Sequence, residues 1–152
     1  MRLLLVTMMF AIVVPSSQAQ IGISSLVTET HANKKGLAQG EFTITNGSIS
    51  PVATVLEIKR LGHDDQGKVT LTPTTEGIRL SETSARIGPR SSHVFAFETN
   101  CVDCAFIVFT SNSDALQLAG LRVQLRLGHT IYVSAKKGES LRRKFTTETK
   151  IQ

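Results

Sequence analysis

From Leu121 to Val133 the odd positions are Leu121, Val123, Leu125, Leu127, His129, Ile131 and Val133, while the even positions open with Arg122, Gln124 and Arg126. Apart from His129, this is strict period-two alternation. A strand places alternate side chains on opposite faces, whereas a helix needs its apolar residues every 3.6 positions, so the stretch cannot be an amphipathic helix. The pattern predicts a long final strand, well beyond the usual length of about 5 or 6 residues, with its odd face in a core.

No stretch of ten or more between residues 20 and 133 keeps a 3.6-residue apolar period, and the rest of that region reads as short strands between turn residues. Strand one is expected from Ile21 to Thr30, followed by a polar loop from His31 to Gly40. Strand two is Glu41 to Thr45, closed by Asn46-Gly47, a dipeptide that tolerates positive φ and reverses the chain. Strand three is Val52 to Leu61, after Pro51. A loop from Gly62 to Gly67 leads to a short strand around Val69 and Leu71, and Ile78 and Leu80 resume an extended segment. Gly88-Pro89 breaks the ladder before a strand from Ser92 to Thr99. Ala105 to Thr110 is a near-continuous apolar run, as expected of a strand at the centre of a sandwich. About seven strands with turn signals roughly every ten residues predict an all-β fold, an immunoglobulin-like β-sandwich in a single domain, with a barrel as the alternative.

Arg2 and the apolar run Leu3 to Val14 precede a polar stretch, with the small residues Ser17 and Ala19 before Gln20. This is the pattern of a cleavable signal peptide over residues 1–19, too short for a membrane that needs roughly 20 apolar residues, and it predicts a periplasmic or secreted protein. The domain is then residues 20–133, and residues 134–152 form a basic C-terminal tail expected to be flexible. The tail carries six Lys and Arg against two acids, while residues 20–133 hold ten charges of each sign. A neutral body argues against a nucleic-acid face, which needs clustered cations. The tail is read as a solvated extension or as a contact for acidic polymers or a membrane surface.

Cys101-Val-Asp-Cys104 is the one constellation with covalent potential. A redox-active pair of this spacing usually opens a helix, but Ala105 to Phe109 read as a strand, and the four histidines are single and far apart, which leaves zinc without partners. A disulfide at a strand corner is the expected state of an exported chain. Asp64-Asp65-Gln66-Gly67 lacks the spaced acids of a calcium loop and is read as a turn. Nucleophile-elbow, zinc-protease and phosphate-loop motifs are absent, so no enzyme and no cofactor or metal is expected.

The run Gly40 to Asn46, then Ser50-Pro51-Val52, then Ile78 to Pro89, then a final strand ending Ile131-Tyr132-Val133, resembles the N-terminal domain of the periplasmic pilus assembly chaperones, the PapD-like family. The resemblance implies a chaperone-like module that lends its last strand to a pilus-type subunit through strand addition at an edge. In that family a subunit's terminal carboxylate is anchored by an Arg in the first strand and a Lys in the last. Matching on Tyr132 puts His129 at the Lys position and Gly120, Arg122 and Gln124 toward the client, and residues 21–30 contain no Arg or Lys. Arg122, Gln124, Arg126 and His129 are accordingly the candidate partner-binding residues. The alternative is a structural or adhesive component of an extracellular or cell-envelope assembly. For His129 the non-binding reading is a core-edge histidine whose ring nitrogens are satisfied by backbone or water.

Overall fold

A computed structural model describes residues 21–112, 116–118, 121–123 and 126–148. The expected signal peptide lies outside these residues. The chain forms twelve strands and one helix among those described: β1 (Ile21–Ile23), β2 (Val27–His31), β3 (Ala38–Asn46), β4 (Val52–His63), β5 (Val69–Pro73), β6 (Ile78–Leu80), β7 (Ser84–Ile87), β8 (Ser91–Thr99), β9 (Cys104–Asn112), β10 (Leu116–Leu118), β11 (Leu121–Val123), β12 (Arg126–Ser134) and α1 (Leu141–Glu148).

Two sheets face each other. One has the order β1-β3-β8-β6; the other has the order β2-β12-β9-β4-β5, with β7 also on β4, and β10 pairs β11 as a separate ribbon. The architecture is an immunoglobulin-like sandwich, with two separate sheets in place of the alternative barrel.

The core is built by the period-two residues of the facing strands. Phe42 and Ile44 of β3 and Phe95 and Phe97 of β8 meet Phe106 and Val108 of β9 and Ile131 and Val133 of β12, none more than 3% exposed. Burial of each such side chain is worth about 1.5 to 3 kcal/mol, which fixes the register because a one-residue slip would turn the whole set outward. Gly40 is required by this packing: it sits opposite Phe97, and a Cβ there would stand 2.5 Å from Phe97 Cζ.

Four expectations are corrected. The first strand is two strands: β1 pairs β3 in one sheet, and β2 pairs β12, in parallel, in the other. The exposed Ser24 and Ser25 carry the crossing; Ser24 N–H still bonds Thr43 O, whereas Leu26 O already accepts from Thr130. The long final strand is also divided, since β11 pairs β10 while β12 pairs β9 and β2, with residues 124–125 outside the described part. Asn46 does not act through positive φ. Fully buried, its Nδ2 donates to Ser50 O, Ile87 O and Gly88 O and its Oδ1 accepts from Ser48 N–H, so it pins the β3–β4 turn to the end of β7. Residues 141–148, read as part of a flexible tail, form α1, which lays Leu141 and Phe145 on the outer face of the second sheet.

Leu141 is 4% exposed, and the Phe145 ring stacks on His63 at 5.1 Å and meets Tyr132 at 5.8 Å. On this outer face Ala105, in register with Leu61 and Tyr132, is fully buried, whereas Ile107, Phe109 and Ser111 farther along β9 are half-exposed.

The Asp64 turn is as read, its Oδ1 accepting from Gln66 and Lys68 N–H before Gly67 at φ 76°. At the corner after β8, Cys101 and Cys104 are joined in a disulfide with Cα atoms 6.0 Å apart. Asp103, at φ 53°, turns its carboxylate to accept from Ala135 N–H at 3.0 Å, tying the corner to the exit of β12.

Candidate partner-binding edge

Strand β12 pairs β9 from Arg126 to Val133, but β2 covers its other side only from Thr130 to Ser134. Along a strand, successive backbone groups point to alternate sides. Thr130 N–H donates to Leu26 O at 2.8 Å, so the even-numbered backbone groups of β12 point away from β9. Arg126 and Gly128 therefore turn their N–H and C=O groups past the beginning of β2, and among the described residues no strand lies beside them. On β2 itself Ala32 N–H bonds Ser134 O, which places the even-numbered groups toward β12 and those of Val27, Glu29 and His31 on the outer side, where the Ser25 hydroxyl takes both the N–H and the C=O of Val27. The result is one stepped edge, open first at Arg126 and Gly128 of β12 and then at Glu29 and His31 of β2.

Leu26, at the step, is 66% exposed.

The candidate residues fall in different places. Arg126 is exposed on the outer face, where its guanidinium lies 4.2 Å from the Phe109 ring centre and bonds the Glu57 carboxylate across β9. Glu57 in turn meets Lys59 at 3.3 Å. Such half-exposed pairs contribute at most about 1 kcal/mol, so this ladder orients Arg126 more than it stabilises the sheet.

Arg122 lies on β11, paired opposite Gln117 of β10 in the separate ribbon, and Gln124 is outside the described residues.

His129 is fully buried. Its Nδ1–H donates to Ser25 O at 2.6 Å, its Nε2 accepts from Thr28 Oγ1 at 3.2 Å, and its ring stacks on Phe42 at 4.7 Å. Burial lowers its pKa from 6.5, partly opposed by the Ser25 bond. With both nitrogens engaged in holding β2, it has no atom left to present to a partner's carboxylate.

Gly128 and β2 carry the edge, and neither stood out in the sequence. Glycine within an alternating run is a weak signal, and a parallel pairing between segments about 100 residues apart leaves no local pattern.

Among the described residues, no helix is long and apolar enough to cross a membrane, and no group of three or more His, Cys, Asp and Glu is placed to hold a metal ion.

No family model and no curated protein sequence matches the chain. Solved structures do. The fimbrial chaperone CfaA superposes with a TM-score of 0.63 at 9% identity over 79% of this chain and 59% of its own. The CsuC–CsuE chaperone–tip subunit complex of Acinetobacter baumannii gives 0.61 at 13% identity, covering 88% of this chain and 68% of the other. The ASH/PapD-like domain of human CEP192 gives 0.52 at 14% identity, covering 88% of this chain and 99% of that domain. The chain thus has the PapD-like fold, and it spans about three-fifths of the length of CfaA.

Proposed function

We propose that this PapD-like domain is an exported binding module, without catalytic activity, that captures an extended segment of a partner protein by strand addition at the stepped edge of β12 and β2. The observation that carries the reading is the uncovered side of β12 at Arg126 and Gly128, next to a fully formed core. Edge backbone groups supply affinity, and alternate side chains supply selectivity. Most other edges are shorter: β1, β6 and β7 have three, three and four residues, and β5 ends in Pro73, which cannot donate. The solved chaperones of this fold support a protein partner of the subunit type and an exported location. The buried His129 and the absence of Arg and Lys from residues 21–30 argue that capture here does not use a carboxylate anchor.

The test uses proline, which removes one N–H. Gly128→Pro deletes an outward donor and should leave far-UV circular dichroism unchanged while lowering partner recovery from the exported fraction by tenfold or more. Leu127→Pro deletes a donor to β9 and should unfold the protein. Undiminished recovery with folded Gly128→Pro would reject this edge.

A further inference from the structure

We infer that the open edge selects partner segments by a large apolar side chain, best an aromatic one, seated beside Gly128 against Phe109. The inference rests on the strand-addition reading and names what that edge would take.

On the outer face of the second sheet the side chains form rows across the strands. One runs Val27, Thr130, Ile107, Lys59, and the next runs Gly128, Phe109, Glu57, with no residue paired to Gly128 on its β2 side among the described residues. A partner strand continuing the line of β2 would place one outward side chain at that position. Strands lie about 4.8 Å apart, so a neighbour with a Cβ would separate this side chain from β9. Gly128 has none.

The Phe109 ring leans into the gap: a Cβ on Gly128 would stand 3.5 Å from Phe109 Cε1 and 3.5 Å from Ile107 Cγ2. A large side chain can therefore cross the bare glycine and meet the ring edge, the arrangement by which aromatics compensate for glycine in a neighbouring strand. Above the ring, Arg126 at 4.2 Å and Lys59 at 5.9 Å cover its faces and leave its Gly128 edge as the apolar contact. Arg126 already holds Glu57, so its charge is engaged within the protein and the apolar contact is the selective one.

The probe is a set of nine-residue threonine–valine peptides with lysine ends, differing only in a central phenylalanine, alanine or glutamate, titrated by fluorescence anisotropy against the full chain after leader removal. An aromatic contact of this kind is worth about 0.5 to 1.5 kcal/mol, so the phenylalanine peptide should bind roughly two- to tenfold more tightly than the alanine peptide. Gly128→Val fills the gap, its Cβ at ordinary contact distance from Ile107 and Phe109, and Phe109→Ala removes the ring. Each should bring that ratio near one with the circular dichroism unchanged.

A parent ratio of one, a ratio unaltered in both variants, or tightest binding of the glutamate peptide overturns the aromatic slot. If the peptides also lose affinity with Gly128→Pro, strand addition stands without the slot. Absence of binding by all three peptides overturns both.

Discussion

Protonating His129 costs the folded chain more than the unfolded one, because the charged ring would sit fully buried against Phe42 with only Ser25 O and Thr28 Oγ1 in reach. Its folded pKa lies below 6.5, so the stability it secures is complete above pH 6.5 and declines as the pH falls through that value toward the folded pKa. One proton limits the slope to about 1.4 kcal/mol per pH unit. The urea midpoint should therefore drop between pH 7.5 and pH 5, and the drop should shrink in His129→Gln; an equal drop in both proteins would assign the acid sensitivity elsewhere. Asn46 offers a second test. Truncation in Asn46→Ala leaves Ser50 O, Ile87 O and Gly88 O without their common donor, and should destabilise the protein by roughly 2 to 4 kcal/mol in urea unfolding. The sequence marked both residues, one as an exception to alternation and one as a turn former. Their work depends on carbonyls 104 and 42 positions away, which no local pattern carries.

At the scale of elements, strand existence was legible and strand partnership was not. Alternation in β3, β8 and β12 identifies strands because a half-buried sheet imposes it, and the unbroken apolar run of β9 identifies the centre because β4 and β12 flank it on both sides, although its outer residues Ile107 and Phe109 stay half-exposed. Ile21 to Thr30 reads equally well as one strand or two, since the crossing changes the neighbour without changing the local period. The helix is not legible for a related reason: α1 holds only two apolar residues, Leu141 and Phe145, and Phe145 matters only because His63 and Tyr132 form a surface for it. Truncation after Ala135 should accordingly lower the thermal midpoint by about 3 to 8 °C, the shift for loss of about 1 to 2 kcal/mol in a domain of this size. An unchanged midpoint would mean that the helix contributes no net stability. The disulfide corner is separable from α1: neither cysteine should be alkylated in the native or denatured protein without reductant. Reduction should cost about 2 kcal/mol, as expected for so short a loop.

Among the described residues, both sheets are completed by strands of the chain itself. Strand β12 completes its own sandwich between β9 and β2, and Ile131 and Val133 on it are fully buried beside Phe106 and Val108 of β9. A permanent component that polymerises by accepting a neighbour's strand would show a gap in its core; among the described residues the feature seen here is instead the stepped edge of β12 and β2, which lends pairing without requiring it. This geometry favours the transient chaperone-like module over the structural component, and the two differ in where the protein ends. The chain should be a folded monomer when purified alone, with one cooperative transition, and a bound segment should raise the midpoint by mass action alone. In cells it should be recovered from the soluble exported fraction, free or in equimolar complex with its partner, and be missing from the assembled structure that the partner builds. Quantitative mass spectrometry of both fractions decides the point. Fixed stoichiometry of this chain in the washed assembly would transfer the open edge from temporary capture to permanent joining, with Gly128→Pro then expected to shorten or abolish the assembly itself.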